Sequence, residues 1–208
     1  MAVFTPSYPL TLPTATGIVT QNWGLNRVVA VTESPFTLQQ QTFEHEGSQW
    51  RCTMTLPPMK KDKASIWLAF FMSLRGRRGT FKLGDQDRKT IQGTATGTVR
   101  VNGASQTGNQ VALDGFTASR ANVFKAGDYI QINSYVYMVI EDVSANGSGE
   151  ANVKVEPALR SGIETINNDD VVTYTNTTTI MRLDSNEFNW DTDKVSNYGI
   201  SFACSEVL

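Results

Sequence analysis

Few residues of this 208-residue chain have the type and spacing that chemistry requires. The single histidine, His45, stands in Glu44-His45-Glu46. A zinc site wants several converging His or Cys ligands, and a nucleophile-histidine relay would need this one imidazole for every role. Beside an expected turn at Glu46-Gly47, His45 reads as a surface residue. The acidic pairs Asp85/Asp87, Asp169/Asp170 and Asp191/Asp193 could suggest acid-base catalysis or calcium. None has the spacing of an EF-hand loop, and each lies among turn formers that favour Asp for its local hydrogen bonds. The glycine-rich stretch 93–108 has no Lys-Ser/Thr after its glycines and opens no helix, so it is no phosphate loop. The expectation is a chain that is not an enzyme, with no catalytic residue, no metal and no cofactor.

Three other groups carry possible function. Cys52 lies in the alternating run Trp50-Arg51-Cys52-Thr53-Met54-Thr55-Leu56, and Cys204 shares a strand face with Tyr198, Ile200 and Phe202. Both read as small buried apolar residues, with a disulfide open if their strands are neighbours. Arg75, Arg77 and Arg78 form the one functional-looking charge cluster. After a helix carboxyl end, cations complement the dipole by about 0.3–1 kcal/mol each. The alternative is an inter-subunit ion pair or a wall facing a DNA-containing channel. Opposite the apolar face of the last strand stand Gly199, Ser201, Ala203 and Ser205. Such small side chains allow close packing, by the helix or by another subunit.

The elements that must position these groups are mostly strands. Pro6, Pro9 and Pro13 space an extended arm at an edge, because proline removes ladder donors. Strands are expected at 25–32, 36–43 and 48–56, with turns at Ser34-Pro35 and Glu46-Gly47. One helix is expected over 64–75, with Ile66, Trp67, Phe70, Phe71 and Leu74 at helical spacing, Asp62 as its cap and Gly76 as its stop. Leu68, Ala69 and Met72 widen its apolar face beyond one stripe. Six short strands follow at 98–101, 110–113, 129–132, 135–141, 151–155 and 171–175, separated by turn signals such as Asn102-Gly103. That density suits a small closed barrel, which removes exposed edges. Strands return at 179–183 and 198–206. The fold class is therefore all-β with one short α-helix: a split β-sandwich of residues 1–94 and 177–208 around an inserted small β barrel, 95–176.

Composition sets limits. The chain is 40% hydrophobic and only 18% charged, with a formal charge of -2, so it has no basic signature for nucleic acid. No apolar run approaches a membrane span. The start, Met1-Ala2-Val3-Phe4-Thr5-Pro6, lacks a basic region followed by an apolar core, and no signal peptide is expected.

Four runs carry a resemblance. Trp50-Arg51-Cys52-Thr53-Met54-Thr55-Leu56-Pro57-Pro58-Met59 is followed by Trp67-Leu68-Ala69-Phe70-Phe71-Met72-Ser73-Leu74-Arg75-Gly76-Arg77-Arg78-Gly79-Thr80-Phe81. With Ala126-Gly127-Asp128-Tyr129-Ile130-Gln131-Ile132 and Val153-Lys154-Val155-Glu156-Pro157-Ala158-Leu159-Arg160, the chain resembles small tail proteins of siphophages. The nested plan is similar to distal tail proteins, whose ring-forming β domain carries an inserted barrel of the oligonucleotide/oligosaccharide-binding (OB) type. The resemblance implies a homohexameric ring that joins tail-tube to tip or hub proteins in the virion tail and is assembled in the host cytoplasm. Genomic DNA passes through its channel. On this reading Arg75, Arg77, Arg78, Gly199, Ser201 and Ala203 are candidates for a subunit interface or channel wall. Two other classes stay open. A carbohydrate-binding module for host adsorption needs exposed aromatic platforms on the insert, with Tyr135 and Tyr137 as candidates. A wall hydrolase needs a clustered acid-base pair.

Overall fold

The alternating run around Cys52 does what its pattern demands. In the computed structural model, which describes residues 5–208, Trp50, Cys52, Met54 and Leu56 are buried while Arg51 and Thr53 are exposed. The strands are β1 (Leu10–Thr11), β2 (Thr20–Glu33) and β3 (Gln40–Thr55), followed by helix α1 (Lys61–Leu74) and β4 (Phe81–Leu83). The insert supplies β5 (Val99–Val101), β6 (Gln110–Asp114), β7 (Tyr129–Ile132), β8 (Tyr135–Val139), β9 (Ala151–Glu156) and β10 (Val171–Thr173). The chain then returns with β11 (Thr179–Leu183), β12 (Asp191–Thr192), β13 (Tyr198–Gly199) and β14 (Ser201–Glu206).

The strands outside the insert form a six-stranded sheet in the order β1-β4-β11-β14-β3-β2, with β12 and β13 as a separate pair. Only β1 and β4 run parallel in the large sheet. The proline-spaced arm is its edge, as expected, and it also lies on the helix: the Tyr8 hydroxyl donates to Ser73 O and Trp67 Nε1 to Thr16 Oγ1. The start of the expected arm, residues 1–4, lies outside the described residues.

Helix α1 covers one face of the sheet. Trp67, Phe70, Phe71 and Leu74 are buried, with Phe70 against Phe81 and Phe71 against Phe202. Two local expectations change. Asp62 lies in the first turn, where its charge suits the dipole, but the cap position is Lys60 and has no side-chain cap bond. Arg75 itself takes the left-handed conformation that ends the helix, at φ 54°, one residue before Gly76. Ile66 and Met72 point away from the core and are exposed.

The insert is a closed antiparallel barrel in the order β10-β5-β6-β9-β8-β7. Alternation explains it: Val99, Val101, Val111, Leu113, Val153 and Val155 point inward to a core separate from that of the helix and sheet. Tyr129 and Val136 face the other way and join the sheet core. Trp50 Nε1 donates to Val136 O at 2.9 Å, and the Trp50 ring meets Tyr129 edge-on. Among the described residues no helix is long and apolar enough to cross a membrane.

Candidate functional site: an open sheet face and a projecting hairpin

The sheet has two unlike faces. Phe202, Cys204, Met54 and Cys52 lie under the helix, and the opposite face carries Ser201, Ala203 and Ser205 on β14. The helix therefore does not pack on the small residues, as one of the two expectations had it. It packs on the aromatic side of the same strand, where the larger apolar area is. Across the open face Ser201 pairs with Thr55, Ala203 with Thr53 and Ser205 with Arg51, while Arg182 of β11 stands on the other side of Ser205. Ser201 and Ala203 are exposed, and Gly199 is half-buried in the small β12–β13 pair.

The expected arginine cluster splits. Arg75 is the helix terminator, and Arg78 is exposed on the following 3-10 turn. Arg77, whose backbone N–H is held by Asn186 Oδ1, reaches a groove of about 490 Å³ on the open face. Arg51 and Arg182 line the same groove, beside Gln49 and Ser205. Among the described residues none of these three guanidiniums has a carboxylate partner at ion-pair distance. Asp184 also lines the groove, but Ser205 Oγ donates to its carboxylate. Arg51 and Arg182 are missed by the sequence because each sits alone in an alternating strand; only the register through Ser205 brings them together.

The second feature is the far half of the β2–β3 hairpin. Glu46-Gly47 is not a turn. It lies inside β3, opposite a register shift between Arg27 and Val29. The true turn is at Ser34-Pro35, as read. Beyond the shift the two strands have no other neighbour in the sheet, and nearly every residue from 26 to 47 is exposed. Phe36 is 93% exposed and Phe43 64%, with Val29, Val31 and Leu38 also open. His45 lies on this arm, its ring 4.7 Å from that of Phe43. The arm's base is pinned by Arg27, which contacts Glu44 at 3.1 Å and Glu156 of the insert at 2.5 Å.

The remaining candidates are structural. Cys52 and Cys204 stand directly opposite each other on β3 and β14, both buried and both free thiols. The Cys204 thiol is pushed up by its bond to Cys52 and by burial, and Cys52 is lowered by the same bond. Asp85 accepts from the Asp87 N–H, Asp170 from Asn167 and Asp193 from Asn197, as turn residues do. Tyr135 and Tyr137 are buried, so neither is a platform on the barrel surface. Among the described residues no three His, Cys, Asp or Glu side chains converge as a metal site would require. The insert is clamped to the sheet by Arg160 and Glu206, 2.7 Å apart and buried. No protein-family model matches this chain. No curated protein matches it either.

Proposed function

We propose that this chain is a structural, non-catalytic subunit of a siphophage tail: a distal tail ring component that joins tube to tip and continues the channel through which the genome passes. The observation that carries the reading is the projecting hairpin. A two-stranded ribbon alone in water is marginal, and this one presents Phe36, Leu38, Val31 and Phe43 to solvent. Burying each such side chain is worth about 1.5–3 kcal/mol, so the arm is built to be covered by another chain. The closed barrel in the insert agrees with the OB-type insert of the family that the sequence resembles, and the ring order of six comes from that resemblance. A head-to-tail ring hides such surfaces without forming open fibres. The glycan-binding alternative gains nothing from the barrel, whose candidate aromatics are core residues.

The test is made on particles. Phage lacking this protein should carry tubes without joined tips and should not infect. Normal, infectious tails without it would overturn the reading.

A further inference from the structure

We infer that the arm of one copy docks on the open sheet face of the next, with Glu33 and Glu44 reaching the groove lined by Arg51, Arg77 and Arg182. This rests on the ring reading and names the two surfaces that would make its joint.

Charge is the first argument. From Val28 to Glu46 the chain has three carboxylates, Glu33, Glu44 and Glu46, and no lysine or arginine; Arg27 at the base is shared between Glu44 and Glu156, so Glu44 would exchange that exposed partner on docking. The open face is mainly basic, with Asp184 the one exposed acid in its groove. Arg51 and Arg182 flank the small Ser205 in one row across three strands, Arg77 reaches in from the 3-10 turn, and Lys82 lies on the neighbouring β4. Like charges gathered on one sheet face repel, and here no carboxylate of the described residues lies at ion-pair distance from the three arginines. Guanidinium forks are suited to paired recognition of carboxylates.

Shape is the second argument. Cross-strand partners share a face, so Val29, Glu44, Val31, Thr42, Glu33 and Gln40 form one side of the arm. That side carries two short apolar groups, Val29 and Val31, two acidic ones, Glu33 and Glu44, and the polar Thr42 and Gln40. The receiving face has small residues, Ser201 and Ala203, beside the arginine row, so short valines can approach closely while the carboxylates reach the guanidiniums. Donor and acceptor surfaces differ, so the contact is head-to-tail and propagates around a ring.

The test uses the full-length chain. Variant one is Arg51→Glu with Arg182→Glu; variant two is Glu33→Lys with Glu44→Lys. All four positions are exposed, and thermal melts would check that both variants fold. Self-association is followed by sedimentation up to the highest soluble concentration, and by cross-linking within assembled tails. The wild type should associate and weaken with salt. Each variant alone should lose on the order of tenfold or more in association, and the two mixed should recover it. If both reversed variants assemble as well as the wild type, the docking inference fails while the ring reading stands. A wild-type chain that is monomeric in solution and yields no copy-to-copy cross-link in tails would end both. If the arginine reversal spares assembly but abolishes duplex DNA binding, the groove faces nucleic acid and the inference is overturned.

Discussion

Arg160 Nη2 lies 2.7 Å from Glu206 Oε2, joining the loop after the barrel's β9 to the last strand of the sheet with both side chains out of water, 8% and 0% exposed. Glu206 also accepts from the Trp50 N–H and from Thr179 Oγ1, and Arg160 Nη1 donates to Ser48 Oγ. Burial pushes the Glu206 carboxyl above its usual range, while Arg160 opposes that shift. The pair thus fixes the insert's orientation more than it adds net stability, since desolvation offsets much of the attraction.

Breaking it from one side should be costly. Arg160→Met leaves a buried carboxylate unpaired and should cost about 3–5 kcal/mol. The double variant Arg160→Met with Glu206→Leu should recover most of that loss. Urea unfolding of the three proteins measures it. A single variant within about 1 kcal/mol of the wild type would show that the clamp is not desolvated as described.

Much of this fold is legible because the apolar pattern is strict. All six barrel strands were expected from alternation and turn residues, and the glycines of Asn102-Gly103 and Ala126-Gly127-Asp128 do have positive φ. What the sequence hides is what depends on pairing across long separations. Arg51 and Arg182 meet only because both register with Ser205. The expected turn at Glu46-Gly47 is a local irregularity in one long hairpin, and a residue pattern alone does not separate the two. The face chosen by α1 was also open, because a strand with one aromatic side and one small side offers a helix two kinds of seat.

Gly84 ends β4 where the chain leaves the sheet for the insert, against Thr177 where it returns. A Cβ at Gly84 would stand 1.9 Å from the Thr177 carbonyl oxygen, which backbone must move to relieve. Gly84→Ala should destabilise by about 1–3 kcal/mol, the usual cost of overpacking. Gly147→Ala, with open space around it, is the matched control. Equal melting temperatures for the two variants would contradict the close approach.

Burial pushes Tyr129 and Tyr137 up to about 12 from the ordinary 10. Because the folded values are raised, their contribution to stability is present below pH 10 and is lost as pH rises through about 12. Burial raises Tyr135 as well, so phenolate absorbance of the native protein should show Tyr129, Tyr135 and Tyr137 ionising late, with unfolding favoured across that window. Native phenolate absorbance that rises as it does in denaturant would contradict this burial.

The cysteines should be silent toward thiol reagents while the protein is folded. Both are buried in the sheet core, which keeps reagent out. The reactive species is the thiolate; Cys204 is also held protonated by its bond to Cys52 and by burial, whereas Cys52, lowered by the same bond, is silent through burial alone. A chromogenic disulfide reagent should count two thiols in denaturant and essentially none in the native state at neutral pH. Rapid native labelling would mean that the β3–β14 pair opens readily.

The barrel should fold apart from the sheet, provided that its lead-in is kept. Its core is its own, with Val99, Leu113, Val123, Phe124, Ile130 and Val153 fully enclosed, and closure leaves it no unpaired edge. The lead-in matters because of Asp128, which is buried and accepts from the backbone N–H groups of Gln92, Gly93 and Lys125. Two of those three donors precede residue 95. The chain is also stitched at its exit, where Asn176 N donates to Lys89 O. A fragment of residues 89–176 should give a β-type spectrum and a cooperative melt. A fragment of residues 95–176 should be weaker by about 1.5–3 kcal/mol for each lost bond to the charged carboxylate, less what water restores. Asp128→Ala in the longer fragment should remove the part of the difference that these two bonds supply, leaving the part due to the Asn176–Lys89 stitch. If the longer fragment has no cooperative transition, the insert depends on the sheet for its fold; if the fragments are equally stable, Asp128 does not anchor the entry strand.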